Sequence, residues 1–143
     1  CEYPKKKGAN WESDAVEIIL GNYNSKSQEI DVLIKGVNIS ERNYLVAGFQ
    51  FNIEGATIIE LKGDGLAEAA KFNISSSINT VLGFSFTGAS VGIINAFETL
   101  LTLSISLDEA SPHYGELLCL NEIIISNPQG FAIENSTNCL EID

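Results

Sequence analysis

Several residue types are scarce in this chain, and each shortage argues against a class of function. Lysine and arginine number eight against nineteen aspartates and glutamates, which gives a formal net charge of −11. Phosphate binding depends on clustered basic side chains. The only such cluster is the three lysines at positions 5–7, which we interpret as a solvated leader, with contact to an acidic partner as the alternative. We therefore expect neither nucleic acid nor an anionic membrane surface as a partner.

Long hydrophobic runs and an initiator methionine are also missing. No apolar run approaches the roughly eighteen residues of a membrane-spanning helix, and no signal peptide is recognisable. The chain begins with Cys1 and contains no methionine. We expect the numbered chain to be a processed product or a piece of a longer one, which weakly favours export.

The residues of the common catalytic and metal sites are nearly absent. His113 is the single histidine and follows Pro112 in a predicted turn, where no nucleophile is placed beside it. There is no Cys-x-x-Cys, no histidine pair and no calcium-loop spacing. We predict a protein that is not an enzyme and holds no cofactor or metal. For the metal, a calcium site gathered from scattered turn carboxylates is the alternative. For the activity, the alternative is a hydrolase that uses a pair of carboxylates.

The most informative stretch runs from Val46 to Ala56. Its apolar and polar residues alternate, which is typical of a half-buried β-strand; the apolar positions are Phe49, Phe51 and Ile53. A second Gly-Phe-polar-Phe pattern begins at Gly83. We expect the two copies to have the same place in a core, as parts of strands 44–53 and 80–86.

From Asp14 onward, short apolar segments alternate with polar or glycine-rich turns. Residues 66–71 form the only predicted helix, and 88–99 are predicted to be a loop. Segment 100–107 alternates as a strand with one solvated face, whereas the near-continuous apolar run at 117–126 predicts a strand buried on both faces. About nine or ten strands with little helix predict an antiparallel β-sandwich.

The first thirteen residues lack periodicity and carry Trp11 as their one large apolar side chain. We interpret residues 1–13 as an extended leader and residues 14–143 as the folded domain. Trp is a common interface residue, so Trp11 is a candidate assembly anchor. A tail folded over its own domain is the alternative.

Three cysteines leave one without a partner inside the chain. A bond between Cys119 and Cys139 would close a loop of about twenty residues, while two buried free thiols are the alternative. Cys1 would then join a neighbouring subunit or a preceding segment, or carry a lipid.

Five runs of the chain resemble the cohesin-like modules of bacterial extracellular and cell-surface proteins. The runs are Val-Ala-Gly-Phe-Gln-Phe (46–51), Gly-Ala-Thr-Ile (55–58), Gly-Leu-Ala-Glu-Ala-Ala-Lys-Phe (65–72), Asn-Thr-Val-Leu-Gly-Phe-Ser-Phe-Thr-Gly-Ala (79–89) and Cys-Leu-Asn-Glu-Ile-Ile-Ile-Ser-Asn-Pro-Gln-Gly (119–130). The resemblance covers residues 14–143. It implies a nine-stranded jelly-roll β-sandwich, a non-catalytic module outside the cell, and a disulfide bond between Cys119 and Cys139.

Three sequons for N-linked glycans are present, at Asn38, Asn73 and Asn135. About two are expected by chance from the composition. Asn38 and Asn135 fall in predicted turns, where a glycan is easily accommodated, whereas Asn73 falls in a predicted strand.

The leading functional hypothesis is a secreted or cell-surface structural module that self-associates into an assembly or filament. The unmatched Cys1, the leader with Trp11, and exposed sheet edges would each let one copy engage the next. The alternative is a cohesin-like binding module for a dockerin-type partner or a polysaccharide.

Overall fold

Alternation of apolar and polar residues folds most of the residues that the structure describes into β-strands. The computed structural model describes residues 15–37, 44–62, 65–93, 96–110, 114–128, 130 and 132–142. These residues form one short helix, α1 (Leu66–Ala69), and twelve strands. The strands are β1 (Ala15–Asn24), β2 (Glu29–Val37), β3 (Tyr44–Val46), β4 (Gly48–Glu54), β5 (Ala56–Leu61), β6 (Asn73–Ser76), β7 (Thr80–Phe84), β8 (Val91–Ile93), β9 (Glu98–Leu107), β10 (Leu117–Ser126), β11 (Asn135–Ser136) and β12 (Leu140–Glu141).

Two five-stranded sheets carry the fold. The first sheet has the order β11-β1-β2-β9-β5, the second has the order β12-β10-β4-β7-β6, and β3 pairs with β8 separately. The described strand pairs are antiparallel except that of β1 with β11. The prediction of an all-β, antiparallel sandwich with one very short helix is confirmed.

Strand β4 supplies the centre of the core, as its alternation predicted. Phe49, Phe51 and Ile53 are buried, while the residues between them are partly solvated. The Phe51 ring is stacked against that of Phe49, with centroids 6.1 Å apart. The predicted strand 44–53 is divided into β3 and β4 at Ala47, whose N–H donates to the Ser126 carbonyl.

The second Gly-Phe motif does not repeat the position of the first, so that prediction was wrong. Strands β4 and β7 pair with Phe49 opposite Gly83. A Cβ atom on Gly83 would lie 2.3 Å from Cζ of Phe49. The glycine therefore faces the core and leaves room for the Phe49 ring. Because neighbouring residues of a strand point to opposite faces, Phe84 points outward.

Strand β10 is not buried on both faces, contrary to the prediction. Leu118 and Leu120 point inward, and strict alternation would also bring Ile124 inward. The pairing with β4 is irregular between Asn121 and Ile124. This bulge reverses the alternation, so that Ile125 is buried and Ile124 is 55% exposed.

Strand β9 was predicted to have one solvated face, but residues 100–103 are all buried. In its pairing with β2, Leu101 lies opposite Val32 and Thr99 lies opposite the next residue of β2. Leu100 is therefore an extra residue at a bulge. The turn into α1 packs on this part of β9, since a Cβ atom on Gly65 would lie 2.7 Å from the Leu100 carbonyl oxygen. The predicted loop 88–99 contains β8.

The C-terminal segment joins the two sheets along one side of the sandwich. β11 pairs with β1 of the first sheet, and β12 pairs with β10 of the second. Between them, Cys139 forms a disulfide bond with Cys119 of β10, with the two Cα atoms 4.3 Å apart. The bond thus ties this segment to the second sheet.

Several sequence predictions lie outside the described residues. These are the leader 1–13 with its boundary at 14, and the residues Cys1, Trp11, Asn38 and His113.

Candidate functional site

The outward side of strands β10, β4, β7 and β6 forms a continuous surface, which we call the outer face. Its central row is set by the strand register. Ile124 lies opposite Gln50, Gln50 opposite Leu82, and Leu82 opposite Ser75. One residue of each strand therefore contributes to a row that crosses the whole face.

Large apolar side chains are exposed on the outer face. Ile124 is 55% and Leu82 is 39% exposed. Phe84 is half-buried, and Phe86 is 77% exposed. The two rings contact each other edge to face, with their centroids 4.8 Å apart. We call Leu82, Phe84, Phe86 and Ile124 the apolar patch. Leu82 and Phe84 are neighbours on this side of β7, Phe86 contacts Phe84, and Ile124 lies beyond Gln50. Exposed apolar side chains grouped on one face are a common mark of an interaction site.

The turn after β7 fixes the aromatic end of the patch. Oγ of Ser85 accepts hydrogen bonds from the backbone N–H groups of Thr87 and Ala89, at 3.1 and 3.0 Å. These bonds hold the chain in place on both sides of Phe86. The backbone that presents the Phe86 ring is therefore ordered before binding, which lowers the entropic cost of forming an interface.

At the other end of the outer face, a cleft of about 360 Å³ lies at the border with the first sheet, since Ala56 and Thr57 of β5 and Asp108 also line it. The Thr80 hydroxyl donates to Oδ1 of Asn52 at 2.8 Å, and the Asn121 amide donates to Oε1 of Glu54 at 3.3 Å. Glu54, Asp108 and Glu122 line the cleft, and no lysine or arginine is among its described lining residues. This end is therefore negatively charged.

Neither a metal centre nor a membrane span is found in the described part of the chain. Among those residues, no group of three His, Cys, Asp or Glu side chains is placed to hold a metal ion. No described helix has the length and apolar character needed to cross a membrane.

The two described sequons have different environments. Asn73 lies in the edge strand β6 and is exposed. Asn135 was predicted to lie in a turn, but it belongs to β11 and is half-buried. Asn38 lies outside the described residues.

The apolar patch was not predicted from the sequence. Ile124 was assigned to a buried strand, and the phenylalanines of the second Gly-Phe motif were assigned to the core. One signal was available in the sequence: Asn121 and Glu122 interrupt the apolar run of β10, and polar residues inside such a run indicate a solvated face.

By sequence alone, neither a protein-family model nor a curated protein matches this chain. Comparison with solved structures, in contrast, finds cohesins. A non-cellulosomal cohesin from the archaeon Archaeoglobus fulgidus shares 13% identity, covers 90% of this chain and 91% of its own, and has a TM-score of 0.57.

Two further similar structures are cohesins in complexes. A type I cohesin–dockerin complex from Clostridium thermocellum has a TM-score of 0.55 at 11% identity, with 87% of this chain and 90% of that chain covered. The third ScaB cohesin of R. flavefaciens, in complex with a group 1 dockerin, has a TM-score of 0.55 at 16% identity and coverages of 91% and 96%. The chain therefore has a cohesin-like jelly-roll fold, as the sequence resemblance implied.

Proposed function

We propose that this cohesin-like sandwich is a non-catalytic module, displayed outside the cell, that binds a partner protein through its outer face. The observation that carries the proposal is the apolar patch on a sheet face that is otherwise polar. Leu82 lies near the middle of that face, with Gln50 of β4 and Ser75 of β6 on either side. An apolar centre with a polar rim is the usual anatomy of a protein interface.

The chemistry of the face favours a partner with an apolar contact surface bordered by lysine or arginine. The cleft beside the patch carries Glu54, Asp108 and Glu122, and the chain has a net charge of −11. Charge complementarity of this kind steers association and selects among partners. Carboxylates also accept hydrogen bonds from sugar hydroxyls, but attraction between opposite charges favours a basic protein partner over a neutral polysaccharide.

The comparisons support a binding module over a self-associating subunit. Two of the similar structures are cohesins bound to dockerins, so a dockerin-type domain is our first candidate partner. Identities of 11% and 16% carry only the fold to this chain, and the partner itself is our proposal. The disulfide bond between Cys119 and Cys139 supports a location outside the cell, since such bonds persist in oxidising compartments.

Changing Leu82 to arginine is expected to weaken partner binding by about 30-fold or more, as for an interface hot spot worth about 2 kcal/mol. The new charge would lie in the apolar centre of the contact. The full chain would be used to capture exported proteins of its source organism, and each captured protein would then be purified and titrated by calorimetry. Affinity should also fall as salt is raised, because the cleft attracts a basic rim.

The matched control is Ile59→Arg. Like Leu82, Ile59 is an exposed aliphatic residue, at 61%, but it lies on β5 of the first sheet. The Ile59→Arg substitution should leave the affinity for the partner unchanged. Equal losses for both variants, or binding that Leu82→Arg does not weaken, would count against the outer face as the docking site.

Self-association into a surface assembly is a second candidate, favoured by the composition of one sheet edge. Strand β6 is the outermost strand of the second sheet, and its four residues Asn73–Ser76 include no charged side chain. Natural proteins usually protect such edges with charges, proline or bulges. The leader of a neighbouring copy, with Trp11 as its anchor and Cys1 as a cross-link, would supply the added strand.

We expect Ser76→Lys, or removal of residues 1–13, to abolish any concentration-dependent assembly of the full chain in light scattering. The control Ser27→Lys adds the same charge in the exposed turn between β1 and β2 and should leave assembly intact. A chain that stays monomeric at millimolar concentration would eliminate this candidate.

A further inference from the structure

We propose that Asn73 is an N-linked glycan acceptor in this chain and that Asn135, despite its intact sequon, is not. The inference rests on the extracellular location proposed above, but not on partner binding. It comes from the different positions of the two asparagines in the fold.

Asn73 is well placed to carry a large substituent. It begins the edge strand β6 and pairs with Phe84 of β7, so its side chain projects from the outer face on the same side as that ring. The residue is exposed, and so is Ser75, which completes the sequon. The Asn73 side chain makes no hydrogen bond to other described residues that a sugar would have to replace.

Asn135 is held from inside the fold. Its Nδ2 donates to the carbonyl oxygens of Ile123 and Ile133, at 3.4 and 3.3 Å. The hydroxyl of Thr137, which completes its sequon, is buried and has no hydrogen-bond partner among the described residues. This arrangement leaves little room for either group to meet a transferring enzyme in the folded chain.

The chemistry of attachment separates the two sites further. The Asn amide nitrogen forms a bond to the anomeric carbon of a polyprenyl-phosphate-linked oligosaccharide. The bond from that carbon to the phosphate oxygen breaks, the lipid phosphate leaves with the electron pair, and one amide proton passes to a base. The product keeps one N–H. At Asn135 one of the two internal hydrogen bonds would be lost, whereas Asn73 has no such bond to lose.

A glycan on Asn73 would also affect which surfaces of the second sheet remain accessible to other chains. It would stand on the edge strand β6, whose four residues carry no charge, where it would hinder the addition of another strand. Ile124 lies three strands away on β10, about 14 Å at the usual strand spacing. The modification would therefore hinder edge-to-edge assembly and restrict access to Phe84, which lies opposite Asn73, while leaving Ile124 on β10 accessible.

The test is site occupancy in the full chain, secreted from a host that performs N-glycosylation. Enzymatic deglycosylation in heavy-oxygen water converts each occupied Asn to a labelled Asp, and peptide mass spectrometry of the folded, secreted fraction then reports both sites. We expect the label at Asn73 and unmodified Asn135. Asn73→Gln and Ser75→Ala should each remove the glycan, and Ser75→Thr should retain it.

An unmodified Asn73 in the secreted wild-type chain, or a label at Asn135 in the folded fraction, would overturn the inference. Asn135→Gln should leave the glycan mass unchanged, which provides the matched control. Occupancy is read from mass alone, so a failure of the proposed partner binding would not affect this result. Conversely, an unoccupied Asn73 would leave the titrations of Leu82→Arg fully interpretable.

Discussion

Replacing Phe51 with alanine is expected to destabilise the domain by about 3–5 kcal/mol, the cost typical of removing a buried aromatic ring. The Phe51 side chain is fully buried, with 0% exposure, in the central strand of the second sheet. Its removal would leave a cavity between the two sheets, because the neighbouring β-strands are fixed by their hydrogen bonds and cannot close in on the space. Urea unfolding followed by circular dichroism would measure the loss.

Phe86→Ala is the matched control, since Phe86 occupies the same place in the second Gly-Phe motif. It is 77% exposed and contacts Phe84 edge to face. Losing that ring pair should cost about 1.5 kcal/mol or less. Equal losses of stability in the two variants would contradict the placement of Phe51 in the core and of Phe86 at the surface.

Removing the disulfide with Cys119→Ser and Cys139→Ser together is expected to cost about 3 kcal/mol, since the bond closes a loop with a sequence separation of 20. The effect should be concentrated in the C-terminal segment. β11 and β12 are only two residues long each, so few backbone hydrogen bonds would hold them without the bond. Amide hydrogen exchange should therefore accelerate first in β11 and β12 and in their neighbours β1 and β10.

A reductant provides the control for this prediction. The wild-type chain should lose about the same stability when it is reduced, and the double serine variant should be insensitive to the same treatment. Equal unfolding midpoints for oxidised and reduced wild-type protein would show that the C-terminal segment is held by its strand pairing alone.

Local pattern was sufficient for much of the architecture. The alternation of Phe49, Phe51 and Ile53 predicted which side of β4 is buried, because side chains along a strand point alternately to two faces. The short segments separated by turns predicted a sandwich, and the resemblance implied the bond between Cys119 and Cys139 that the structure contains.

The candidate site could not be predicted in the same way, because it depends on register and bulges. The apolar run of β10 predicts that Ile124 is a core residue, but the bulge before Ile124 turns its side chain outward. The motif also predicts that Phe84 is buried like Phe49. In the structure, β7 pairs with β4 so that Gly83, and not Phe84, points inward opposite Phe49. A one-residue shift moves every following side chain to the other face, and single-residue shifts leave almost no trace in composition.

By itself, the sequence determined that this chain is an all-β sandwich with few basic residues and a negative net charge. Those properties follow from residue type and spacing along the chain, which fix strand propensity and charge. The tertiary structure alone decided that Leu82, Phe84, Phe86 and Ile124 share one exposed surface and that Asn73 and Asn135 lie in different environments. The four residues of that surface are up to 42 positions apart in the chain, and they meet only when strand pairing brings separate segments into one sheet.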